Sequence, residues 1–197
     1  MAKFKISSLI IWAFIILISI TSGCKNKYQV EISMIDSLIS KNKKASDYIN
    51  IDLITINQRR IEIKAQLAVL ENFKPDSSVV EFESNLIKYK AIYKAYRKFI
   101  ENFDLVHSKV KLNEKQLAAL KNSLVDEKIT AEEFKNILEV ETYNVNDNLS
   151  NAEVLGNTIF KLEPDYQRLS KYFDQVVEKL IKNSPELKKI MDENTEK

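Results

Sequence analysis

The chain has 197 residues, with 30 Lys and Arg against 28 Asp and Glu, and holds one His, one Cys, two Gly and three Pro. So little Gly and Pro, against a usual share of about 7% and 5%, excludes the tight turns of a β-sandwich, a phosphate-cradling loop and a dinucleotide fold. One His and one Cys exclude a multi-Cys/His zinc site, a disulfide framework and most nucleophile–base pairs.

The first 23 residues read as an export signal. Lys3 and Lys5 supply a charged start, Leu9 to Ile18 an unbroken apolar centre, and Ser19, Thr21, Ser22 and Gly23 a small-residue approach to Cys24. The apolar run is short of the ~20 residues that span a bilayer. Thr21-Ser22-Gly23-Cys24 resembles the lipobox of bacterial lipoproteins, with Thr21 standing where Leu is usual. The resemblance covers about two dozen residues. It implies that Cys24 is acylated by palmitate-class chains and becomes the mature N-terminus. Each buried CH₂ contributes about 0.8 kcal/mol, so two or three chains hold a protein on a membrane. Lys25 follows the Cys in place of an Asp-type retention signal. In a Gram-negative cell that favours the outer membrane, facing the periplasm or the cell surface; in a Gram-positive cell, the outer face of the cytoplasmic membrane. Lys3 and Lys5 are the only charges before Cys24, so the mature chain carries 28 basic and 28 acidic residues. That neutrality argues against nucleic acid as a partner.

Residues 24–29 form a short tether, and a helical body is expected over 30–183. Its first stretch runs from Val30 to Phe73 on the seven-residue series Ile35, Asn42, Ile49, Ile56, Ile63, Leu70, widened by Ile39, Leu53 and Leu67. The polar centre, residues 41–46, marks a bend, which leaves one helix or two. Pro75 ends the run. Ser78 and Glu81 form an S-x-x-E capping box for a second helix reaching Val110. Phe82, Tyr89, Tyr96 and Phe103 recur every seven residues, flanked by Val79, Leu86, Tyr93, Ile100 and by Ile92, Phe99, Val106. A second box, Asn113 with Gln116, opens a short helix with Leu117, Leu120 and Leu124 inward. A third, Thr130 with Glu133, starts a helix bearing Phe134, Ile137, Leu138 and Val145; residues 117–138 therefore read as a tight helical hairpin. The Asn-rich stretch 144–151 predicts a kink or break. Pro164 restarts a helix whose inward row is Tyr166, Leu169, Phe173, Val176, Leu180. Residues 184–197 read as a short turn and a frayed tail. The fold expected is all-α: an antiparallel bundle of four to six long, coiled-coil-like helices.

Candidate chemistry is sparse. His107 falls in register with the apolar seam and reads as structural. Asp126, Glu127, Glu132 and Glu133 crowd the hairpin but lack the Ca²⁺-loop pattern, and helix-start dipoles account for Glu132 and Glu133. The only Trp, Trp12, lies in the signal, which argues against a sugar-processing carboxylate pair. No catalytic residue, metal ligand or cofactor is expected.

Residues 88–98 hold five cations and no acid. The face drawn from them is Lys88, Lys90, Tyr93, Lys94, Arg97 and Lys98, with Lys88, Lys94 and Lys98 outward and Lys90 and Arg97 beside the seam, facing acids of a neighbouring helix. The function expected is non-catalytic binding or scaffolding in the cell envelope, with a membrane anchor at Cys24 and an envelope protein as partner. Two alternatives share the signal and the bundle: a surface-exposed adhesin or host-ligand binder, and a helical carrier of an apolar ligand. The long seams can close within one chain or between two copies as a homodimer.

Overall fold

The computed structural model describes residues 27–73 and 80–195. Within them five helices follow one another: α1 (Gln29–Tyr48), α2 (Leu53–Glu71), α3 (Val80–Val125), α4 (Ala131–Asn183) and α5 (Pro185–Thr195). No strand occurs among the described residues, and the all-α bundle expected from the apolar periodicity is the fold. The stretch read as an export signal, Cys24, Pro75 and the Ser78 half of the first expected capping box lie outside the described residues.

The first helical stretch is two helices, but the break falls at residues 49–52 rather than in the polar segment 41–46. That segment stays helical because Asn42 and Ala45 are buried, and Asn42 Nδ2 donates to the Val110 carbonyl of α3 at 3.0 Å. Asp52 makes the new start: its Oδ1 accepts from the Ile54 and Thr55 amides, and Thr55 Oγ1 donates to Oδ2 at 2.6 Å. These bonds to the charged form hold the Asp52 carboxyl below its ordinary value.

α3 runs on through Val110 without a stop, so the expected box at Asn113 and Gln116 does not form. Asn113 is buried at 3% exposure and belongs to the interior of the bundle instead of capping a helix. Nor does the Asn-rich stretch break α4. Val145, Asn148 and Ala152, spaced for one helix face, are all buried, and that burial overrides weak intrinsic propensity. Pro164 lies inside α4 rather than starting it. Its ring removes only the bond to the Phe160 carbonyl, on a turn where both residues are exposed to water.

The hairpin between α3 and α4 forms where expected. The Lys128 amide donates to Ser123 O at 2.9 Å and the Glu127 amide to Leu124 O at 3.2 Å, the paired bonds of a Schellman stop. Glu127 sits at its left-handed position, with φ 54°. Thr130 and Glu133 then close the capping box on α4.

Polar contacts give the helix directions. Lys41 meets Asn146, Tyr48 meets Glu153, Arg59 meets Glu163 and Gln66 meets Asp174, at separations of 105, 105, 104 and 108 residues. A near-constant offset means that α1 and α2 continue one line beside α4 despite the break. Both run antiparallel to α3, as the Asp36–Lys121 and Glu71–Lys90 ion pairs require.

The hairpin end is a three-helix bundle of α1, α3 and α4 around Ile35, Leu117, Leu124, Phe134 and Val145. At the other end α5 folds back against α2, making four helices around Tyr89, Tyr96, Phe99, Leu169 and Phe173. Phe173 contacts Tyr89 at a 4.7 Å centroid distance and Phe82 at 6.0 Å. The segment expected as a frayed tail is therefore an 11-residue helix, with Leu187 and Met191 packed on that core.

Candidate partner-binding grooves

The basic face of α3 follows from its own period. Tyr89 and Tyr96 are fully buried, which turns Lys88, Lys94 and Lys98 to water; Lys90 and Tyr93 are half-buried on one flank. Lys90 Nζ meets Glu71 of α2 at 2.8 Å, the pairing expected of a residue beside the seam. Arg97 does not reach a neighbouring helix: its Nε lies 3.5 Å from Glu101, one turn along α3.

The six residues do not form one patch. A groove of about 340 Å³ between α2, α3 and the end of α5 gathers Lys90, Tyr93, Lys94 and Arg97 with Lys64 and Asn194. Its floor is apolar, from Leu67 and Ala68, and its single acid is Glu71. A second groove, of about 280 Å³, lies on the other side of α3 against α4, where Lys94 and Lys98 meet Val154, Leu155 and Thr158. Val154 is 67% exposed there. Lys94 borders both, and Lys88 borders neither of these two. Lys64 and Asn194 had no signal in the sequence beyond their own charge or polarity, because α2 and α5 reach α3 only through the tertiary fold.

Between α2, α3 and α4 lies a polar network that the sequence pattern does not mark. The Tyr89 hydroxyl donates to Gln66 Oε1 at 2.6 Å, and Gln66 Nε2 donates to Asp174 Oδ1 at 2.6 Å. Arg59 pairs with Glu163 at 2.7 Å and stacks over the Tyr166 ring at 4.4 Å. Its guanidinium also lies near the Tyr96 hydroxyl, pulling that pKa down against the larger upward push of burial, without a hydrogen bond of good geometry. Burial, then the nearby Glu62 charge, pushes Tyr166 up to about 12. Glu62 is itself raised by burial and by Asp174.

His107 is exposed and stacks on Phe103 with ring centroids 5.5 Å apart and planes 8° from parallel. No group of three or more His, Cys, Asp or Glu side chains able to hold a metal occurs among the described residues. No described helix is long and apolar enough to cross a membrane. No protein family matches this chain, and neither a curated protein nor a solved structure matches it.

Proposed function

We propose that this protein is an exported bacterial lipoprotein, anchored in a membrane through acylated Cys24, that binds or scaffolds another envelope protein without catalysing a reaction. The single observation that carries the reading is the sole Cys of the chain standing at the end of a signal-like N-terminus. The long helical body, with a basic face on α3, supports a binding role. A single His, exposed and stacked on an aromatic ring, offers no acid–base pair to a nucleophile.

Metabolic labelling with an alkyne palmitate tests the anchor. Wild type is expected to take up label and sediment with membranes, whereas Cys24→Ala loses both or accumulates as precursor; label on Cys24→Ala overturns the reading. Protease added to intact cells separates the sites of action. Sparing places the body in the periplasm with an envelope partner, and digestion favours a surface-exposed adhesin.

A further inference from the structure

We infer that the groove between α2, α3 and α5 seats an acidic segment of a partner protein, at the end of the bundle remote from the membrane anchor. The inference rests on the lipoprotein reading above for its orientation and on the groove's own charge for its ligand.

The charge is one-sided. Lys64, Lys90, Lys94 and Arg97 converge on a space that holds one carboxylate, Glu71, already paired with Lys90. Arg97 is paired with Glu101 outside the groove lining. Lys64 and Lys94 form no ion pair among the described residues. Residues 24–197 carry 28 basic and 28 acidic side chains, so four cations over one acid is a local excess.

A feature already in the fold indicates what such a groove prefers. α5 carries no basic residue in its last turn, and its Asn194 borders the groove. The negative end of that helix dipole thus lies against cations from α2 and α3. The same cations complement carboxylates arriving from outside, while Tyr93, Leu67 and Ala68 offer an apolar floor for an aliphatic side chain between them.

Position selects a protein over lipid headgroups. The Asp36–Lys121 ion pair sets the start of α1 beside the C-terminal end of α3. Lys94 lies 31 residues before Val125, about 45 Å along the helix at 1.5 Å per residue. The tether from Cys24 to Gln29 spans at most about 18 Å. A bundle that stands upright on that end holds the groove far beyond the ~8 Å range of headgroup charge at physiological salt.

The test uses the full acylated chain in detergent micelles and a fluorescent peptide of about ten residues alternating Glu and Leu, followed by anisotropy. Binding is expected, weakening about tenfold or more between about 0.05 and 0.5 M salt. It should weaken by a similar factor in Lys64→Glu/Lys94→Glu, and little in Lys115→Glu/Lys135→Glu, two exposed lysines near the hairpin end that border neither groove. Circular dichroism confirms that each variant keeps its helix content; Lys64→Ala/Lys94→Ala replaces a charge-reversed variant that does not. No peptide binding, or equal loss in both double variants, overturns the proposal. Vesicles containing phosphatidylglycerol that bind the Cys24→Ala protein through Lys64 and Lys94 also overturn it, making the groove a headgroup site. Palmitate labelling of the same preparations reports the anchor separately, so loss of peptide binding with labelling intact sinks only the groove.

Discussion

The carbonyl oxygen of Tyr48, in the last turn of α1, rests directly on Gly156 of α4: a methyl group built on that glycine would overlap the oxygen and come within 3.3 Å of the Tyr48 Cβ. The contact sits just before the four-residue break between α1 and α2, where α1 comes close to the α4 backbone at a residue without a side chain. Gly156→Ala gains about 1 kcal/mol of helix propensity but forces α1 outward, at a cost of about 1–3 kcal/mol. A net fall in Tm is expected by thermal denaturation, with Gly156→Val worse. An unchanged Tm for both would show that the contact relaxes freely.

Tyr89 is the fully buried centre of the four-helix end, and its hydroxyl holds Gln66 in the bond chain to Asp174. Tyr89→Phe keeps the ring contacts with Phe173 and leaves Gln66 Oε1 without that donor. A loss of about 1 kcal/mol is expected, or about 2–4 °C in Tm for a chain of this size. Gln66→Leu with Tyr89→Phe removes the undonated amide oxygen, and because Asp174 is exposed to water and keeps its hydration, the double variant should recover part of that loss.

Glu141 is 6% exposed, and its Oε2 has no hydrogen-bond partner. Burial alone raises its carboxyl above the ordinary value of 4.5. A raised folded-state pKa means stability is fully present below the unfolded value and falls as pH rises through the folded one. Glu141→Gln should therefore match wild type near pH 4 and exceed it by roughly 1 kcal/mol once the pH has passed the raised folded-state value, with no further change above it. Parallel Tm-against-pH curves for the two proteins would show that Glu141 ionises without penalty.

Glu127 holds a left-handed backbone at the stop of α3. That conformation costs a side-chain-bearing residue roughly 1–2 kcal/mol relative to glycine. Glu127→Gly is expected to raise the unfolding free energy by about 1 kcal/mol, less the entropy that glycine adds to the unfolded chain, read as a higher denaturation midpoint. Glu127→Val should lower it.

Truncation after Asn183 removes α5, which has no fully buried residue but lays Leu187 and Met191 on the core. Loss of helix stability at the four-helix end is expected, seen as faster amide exchange in α2, with the three-helix end protected as before. Uniform loss of protection would show that the two ends unfold as one unit.

Most of the core was legible in the sequence. The series Ile35, Asn42, Ile49, Ile56, Ile63 and Leu70 is buried throughout, even at its polar member, as are Phe82, Tyr89 and Tyr96. Apolar spacing is a property of one helix and needs no partner to be seen. Thr130 with Glu133 was equally plain, because a capping box is closed within four residues.

Helix ends in the interior were not legible in the same way. Asn113 with Gln116 and Pro164 are local start signals and the Asn-rich run a local break signal, each overridden where neighbouring helices bury the face on either side. A stop costs about 1–3 kcal/mol, and burial of a few large side chains outweighs it. Conversely, the break at residues 49–52 brings the Tyr48 carbonyl against Gly156, and the helix at 185–195 packs on the α2 surface, partners far away in sequence. The basic stretch 88–98 was visible as charge. Its division into two grooves, and the addition of Lys64 and Asn194 to one of them, came from helices that meet only when the chain is folded. Periodicity determines which side of each helix faces inward; which helix lies against that side is decided by packing, and the grooves belong to packing.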